Sequence, residues 1–195
     1  MVDRIIDKNL NFLQKHGVKM DTTDDRAVYK YGLQILYYYL IDLVVIFSFA
    51  YVFGRIYETI IMTSLFGVLQ VFGGGYHAKT PLGCLATMSI GAVIGNVLIV
   101  LIAEYTMINL IIAVVLGSII IFLPPVMNKR HPVGKKVRRR SKNIVRAFVL
   151  LLIIVSGTLS YFDNSSVEIA IIATTMGAYI VSWIWAKMEA IHIEL

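Results

Sequence analysis

One short stretch brings together the residue types that could do chemistry: Gly73-Gly74-Gly75-Tyr76-His77-Ala78-Lys79-Thr80-Pro81-Leu82-Gly83-Cys84. Three successive glycines let a backbone turn sharply. A histidine follows, and seven positions further on stands the chain's single cysteine. Thr80-Pro81 has the form of a helix N-cap and first helical residue, which puts Cys84 in or just beyond a helix's first turn. A thiol there, near Lys79 and an imidazole, has surroundings that favour the thiolate. The thiolate is a nucleophile; His77 is the natural base that forms it and the acid that later returns the proton. The spacing also suits an inert packing cysteine beside a loop histidine, and the residues alone leave both readings open.

The elements that must position this pair are membrane elements. Of 195 residues, 58% are hydrophobic and 15% charged, against roughly 25% charged in an average soluble domain. Mean hydropathy is +0.76. So little charge cannot coat a soluble core, which argues against a soluble enzyme or secreted domain. Apolar stretches cover about 31–53, 56–72, 83–103, 105–123, 144–162 and 167–186, each near the roughly 20 residues that cross a hydrocarbon layer. The second is short and ends in the three glycines. Pro124-Pro125 stops the fourth. Ahead of them, residues 2–16 place Val2, Ile5, Ile6, Leu10 and Leu13 near one helical face, with Gly17 as a C-terminal cap. The expected fold is all-α: a single polytopic membrane domain over 1–195, with six transmembrane helices and an N-terminal amphipathic interfacial helix at 1–17. Packing of that first helix on the protein's own cytosolic side is the alternative. Asp21 to Asp25 offer a cap and first-turn carboxylates to the next helix.

Charge orients the six spans. Of 18 Lys and Arg, all but Arg55 fall in the N-terminal segment, the second and fourth connections, or the C-terminal tail. By the positive-inside rule both termini and the His77–Cys84 loop face the cytoplasm. Trp183 and Trp185 beside Lys187 suit an interfacial anchor. The first thirty residues carry eleven charges and no apolar run, so no cleavable signal peptide is expected. The net charge of +6 fits a membrane-lipid surface; with no folded binding module, nucleic acid is not expected as a partner. The basic run at 129–146 is read as that anchor, and also as an attractor for an acidic peptide segment or anionic lipid. One cysteine excludes an internal disulfide, and His and carboxylates do not cluster at ligand spacing, so no metal or cofactor is expected.

Other polar residues have two readings each. Asp42 lies mid-span, where an ionisable group is costly and often functional; it either handles substrate or pairs with a polar group on another span. Asn96, twelve residues past Cys84, is roughly 18 Å deeper and reads as an interhelical hydrogen-bonder. Gly91-x3-Gly95 shares a face with Cys84 and Met88 and suits close helix packing or a homodimer seam. His131 is a loop histidine and a second candidate base. His16 and His192 look like helix-end residues.

The stretch GGGYHAKTPLGC, on a six-span chain of this size, resembles the accessory gene regulator B (AgrB) family of bacterial membrane cysteine endopeptidases. The motif is a Gly-Gly-x-His-Ala turn followed by a cysteine, with a basic loop further on. Family members often carry a basic residue just before the glycines, where this chain has Gln70 and Val71, and another before the cysteine, where it has Gly83. The resemblance implies catalytic residues His77 and Cys84 and a cell-membrane location. It implies a quorum-sensing peptide precursor (AgrD-like) as substrate, cleaved toward its C-terminal side through a thioester acyl-enzyme. Displacement by a substrate side chain then closes a thiolactone or lactone. A membrane-edge site would keep water from that thioester, and first-turn amides near Leu82–Cys84, or Gln70, would hold the oxyanion. The rival reading from another class is a small transporter or exporter with Asp42 as its coupling site.

Overall fold

The computed structural model describes residues 2–18, 22–76, 78, 80–123, 125–126, 134–162 and 166–192. Among these residues there are seven helices and no strand: α1 (Val2–Lys15), α2 (Thr23–Val52), α3 (Ile56–Gly73), α4 (Pro81–Ile102), α5 (Thr106–Phe122), α6 (Lys135–Tyr161) and α7 (Ser166–His192). Five of them, α2, α3, α4, α6 and α7, are long and apolar enough to cross a membrane. The stretch expected as the fourth span, α5, is a shorter apolar helix of 17 residues.

Local sequence explains where the helices stop. At the end of α1, Gly17 has φ 92°, its N–H donates to the Gln14 carbonyl at 3.3 Å, and the Val18 N–H donates to Leu13 at 3.1 Å. This paired closure needs a left-handed residue, which glycine adopts without strain. The same device ends α2. Gly54 has φ 65°, and the Gly54 and Arg55 amides donate to Tyr51 and Ala50 at 3.1 and 2.7 Å. At the start of α2, Thr22 accepts from the Asp25 amide, and the Asp25 carboxylate accepts in turn from the Thr22 amide, a reciprocal capping box.

The first helix spends its apolar face on its neighbour. Ile6 and Leu10 are fully buried and pack against Leu33 and Tyr37 of α2. Asn9 donates to the Tyr37 hydroxyl at 2.5 Å, and Lys30 pairs with Asp7 at 3.4 Å. Ile5 and Phe12 stay exposed.

The bundle is built around α7, which contacts α3, α4, α5 and α6. Residues 169–176 are buried without interruption. A helix apolar all round belongs in the middle of a bundle, and this one fills that place. Leu69, Ala113, Ile120, Val149, Met176 and Tyr179 form one cluster with α3, α5 and α6. Ile46, Met62, Ala92, Ile99, Ala170 and Ile171 form a second with α2 and α4. The outer faces of α2, α4, α5 and α6 expose Val44, Leu101, Phe122 and Ile154, as lipid-facing helices must. Gly95 lies where a Cβ would press on Met62, whereas a Cβ at Gly91 would meet open space. The two glycines therefore do not form one seam; Gly95 serves packing inside the chain.

Helix lengths fall into two sets. The longer, α2, α6 and α7, have 30, 27 and 27 residues. The shorter, α3, α4 and α5, have 18, 22 and 17.

Candidate active site

The thiol sits where its local sequence puts it. Thr80 has extended backbone, its hydroxyl accepts from the Gly83 amide at 3.1 Å, and Pro81 opens the helix. Cys84 is the fourth residue of α4; its amide donates to the Thr80 carbonyl at 3.0 Å. The thiol is half-buried and free. Of the three first-turn amides expected as oxyanion donors, those of Gly83 and Cys84 are committed to Thr80, leaving that of Leu82. Gly83 is itself confined: a Cβ there would stand 3.0 Å from the Thr80 hydroxyl oxygen.

The glycine turn upstream is held by three different elements. Each glycine lacks a side chain for its own reason. A Cβ on Gly73 would run into the Tyr179 hydroxyl of α7; on Gly74, into the backbone carbonyl of Val126; on Gly75, into the Gln70 side-chain oxygen and the Ser182 hydroxyl. Gly74 also has φ 72°. The Val126 amide donates to the Gly73 carbonyl at 2.9 Å, so the segment after α5 is tied to the end of α3. Ser182 of α7 is the second tie. It accepts from the Tyr76 amide at 3.0 Å and from the Gln70 side-chain nitrogen at 2.9 Å. Tyr76 then stacks on Trp185 with ring centroids 4.6 Å apart. Gln70 is thus a brace for the turn. Its nitrogen is engaged, and its buried oxygen has no hydrogen-bond partner among the described residues.

His77 and Lys79 lie outside the described residues, as do Lys129, Arg130 and His131 of the basic loop. The neighbours Tyr76, Ala78 and Thr80 are described. His16 stands at the end of α1, its ring on the Phe12 carbonyl at 2.9 Å.

Asp42 of α2 is 8% exposed and accepts from Ser89 of α4 at 2.9 Å. It pairs with a polar group of another helix, one of the two roles expected for it. Ser89 is five residues past Cys84, about 7.5 Å along the axis. Asn96 is an interhelical linker: its side-chain nitrogen donates to the Thr59 hydroxyl and the Ala92 carbonyl, both at 2.9 Å. Among the described residues no cluster of His, Cys, Asp or Glu could hold a metal ion.

Sequence reasoning found the thiol, its cap and the glycine bend. It missed Tyr179, Ser182 and Val126, which lock the bend. Ser182 is one serine in an apolar helix, and nothing local distinguishes it; only its seat about one turn past Tyr179, facing Gln70, gives it the role.

A family model described as accessory gene regulator B matches residues 6–186. A protein described as AgrB-like from Clostridium acetobutylicum is 29% identical over 132 residues, which is 65% of this chain and 61% of that protein. No solved structure matches.

Proposed function

The chain belongs to the accessory gene regulator B family, and from that premise we propose that it is a membrane cysteine endopeptidase maturing a quorum-sensing peptide. Cys84 is the nucleophile and His77 the general acid and base. The thiolate adds to a carbonyl of the precursor, His77 protonates the departing amine, and a thioester joins the precursor's N-terminal part to Cys84. A side-chain thiol or hydroxyl of that part then attacks the thioester, closing a thiolactone or lactone and returning the sulfur to the enzyme. The Leu82 amide is the oxyanion donor left free by the cap. On this reading the chain has six spans, with α5 the shortest, and both termini inside, and the chemistry lies at the cytoplasmic membrane edge.

The observation that carries this reading is Cys84 at the fourth residue of a helix whose cap and preceding turn are both fixed: Thr80 caps it, and Tyr179, Val126 and Ser182 seat the three glycines. An incidental membrane cysteine has no need of such a mount. The test is processing of the precursor by full-length protein in vesicles. Cys84→Ala and His77→Ala should each abolish cleavage while inserting normally. Cleavage at the ordinary rate by Cys84→Ala would overturn the proposal.

A further inference from the structure

We propose that Lys142 and Arg146, beside a small cleft between the ends of α3, α5, α6 and α7, bind the phosphate of an anionic phospholipid. Gly73, Lys142, Arg146 and Tyr179 line it, with Ile120 and Val145 among its apolar walls. Lys142 and Arg146 stand one turn apart on α6 and are half-buried. Among the described residues neither forms an ion pair. The Arg146 Nε donates to the Ile121 carbonyl at 3.0 Å, which fixes the guanidinium and leaves its terminal nitrogens without a hydrogen bond among the described residues. Tyr179 is 2% exposed, and its ring closes the cleft on the α7 side. Half-buried cations are costly without a counter-charge. Two cations beside one cleft with no acceptor between them leave a site complementary to an oxyanion with several oxygens.

Position favours a lipid over a peptide carboxylate. Up to Lys142 the α6 sequence is mostly Lys and Arg; from Ile144 to Val155 it is apolar except for Arg146. Lys142 and Arg146 therefore straddle the level at which headgroups give way to acyl chains. Past Arg146, Leu150 and Ile154 are exposed, a surface on which an acyl chain can lie. An acidic peptide would find the two cations but no use for that apolar track. Gly73 belongs both to this cleft and to the turn ahead of Cys84, and Tyr179 is the wall between them, so a seated phosphate braces the turn.

The experiment exchanges the purified full-length protein into detergent with dioleoylphosphatidylglycerol or dioleoylphosphatidylcholine and counts retained lipids by native mass spectrometry. One phosphatidylglycerol should be retained on the order of tenfold better than phosphatidylcholine. Lys142→Gln with Arg146→Gln should abolish the preference. Lys136→Gln with Arg139→Gln, which removes the same charge from exposed positions of α6, should keep it. Lys142→Gln alone leaves the Arg146–Ile121 bond intact and should cut retention severalfold, so the test survives if the double variant does not fold. Equal retention by the two double variants would overturn the proposal. So would release of the lipid by millimolar inorganic phosphate, which marks a free-anion site, or by a short polyglutamate peptide, which marks a peptide site.

Discussion

Three adjacent glycines could be three copies of one requirement, but here each answers to a different neighbour. Gly73 yields to a phenol, Gly74 to a backbone carbonyl, and Gly75 to an amide oxygen and a hydroxyl. That difference is testable. Gly73→Ala should destabilise the protein by about 1–3 kcal/mol, as overpacking does, and slow precursor processing. Adding Tyr179→Phe removes the nearest obstructing atom and should recover part of both losses. Gly74→Ala, set against backbone at positive φ, has no such partner to trim and should resist rescue. Thermal melts and processing rates of the two alanine variants, each with and without Tyr179→Phe, would check this; equal rescue at both positions would contradict the assignment. Asp42→Asn separates the two classes of function. Asparagine still accepts from Ser89, so processing should persist within a few-fold, whereas a carrier relying on the carboxylate would lose transport in a vesicle uptake assay. The thiol, its cap and the turn were legible because they depend on neighbours within a dozen residues. Tyr179 and Ser182 were not, because about a hundred residues separate them from the glycines they touch.

At the scale of elements, sequence signals marked most ends closely. Gly17 and Thr80 cap the helices they were expected to cap, and Thr22, one of the five residues offered for the start of α2, caps it, because caps are short-range hydrogen bonds. The outward-facing ends of the apolar runs also fell within a residue or two. The opposite ends of α2 and α6 did not. Helix α2 begins at Thr23 and α6 at Lys135, eight or nine residues before apolarity sets in. Hydropathy reports where lipid begins, whereas backbone bonding continues through Lys, Arg and Asp without interruption. The first helix shows the same limit: its amphipathic pattern was plain, but whether lipid or α2 would cover it was not, and α2 takes Ile6 and Leu10. The cap of α4 yields a second prediction. Thr80→Ala should cost about 1 kcal/mol and free the Gly83 amide, loosening the first turn under Cys84. Thr80→Ser keeps the acceptor and should behave as the parent in both melting and processing. An alanine variant indistinguishable from serine would show that the cap does not support the thiol.

For the whole molecule, charge and connection length agree. Arg55, the one basic residue in an odd-numbered connection, is paired with Glu58 at 2.6 Å, so it contributes little net positive charge on its side. With the N-terminus inside, alkaline phosphatase fused after Gly54 or after Glu104 should be active, and fused after Gly134 inactive; the reverse pattern would refute the orientation. The connections on the Gly54 side are short: three residues between α2 and α3, three between α4 and α5, and four between α6 and α7. They keep those helix ends nearly level. The differences in helix length must then appear at the other end, where α2 outreaches α3 by 12 residues and α6 outreaches α5 by 10, roughly 15–18 Å of rise. On that side α2, α6 and the central α7 reach past the level of the bend and the sulfur. If the proposed cleavage takes place there, its substrate has to pass among those protruding helix ends, so slender chains would be favoured before any side chain is read.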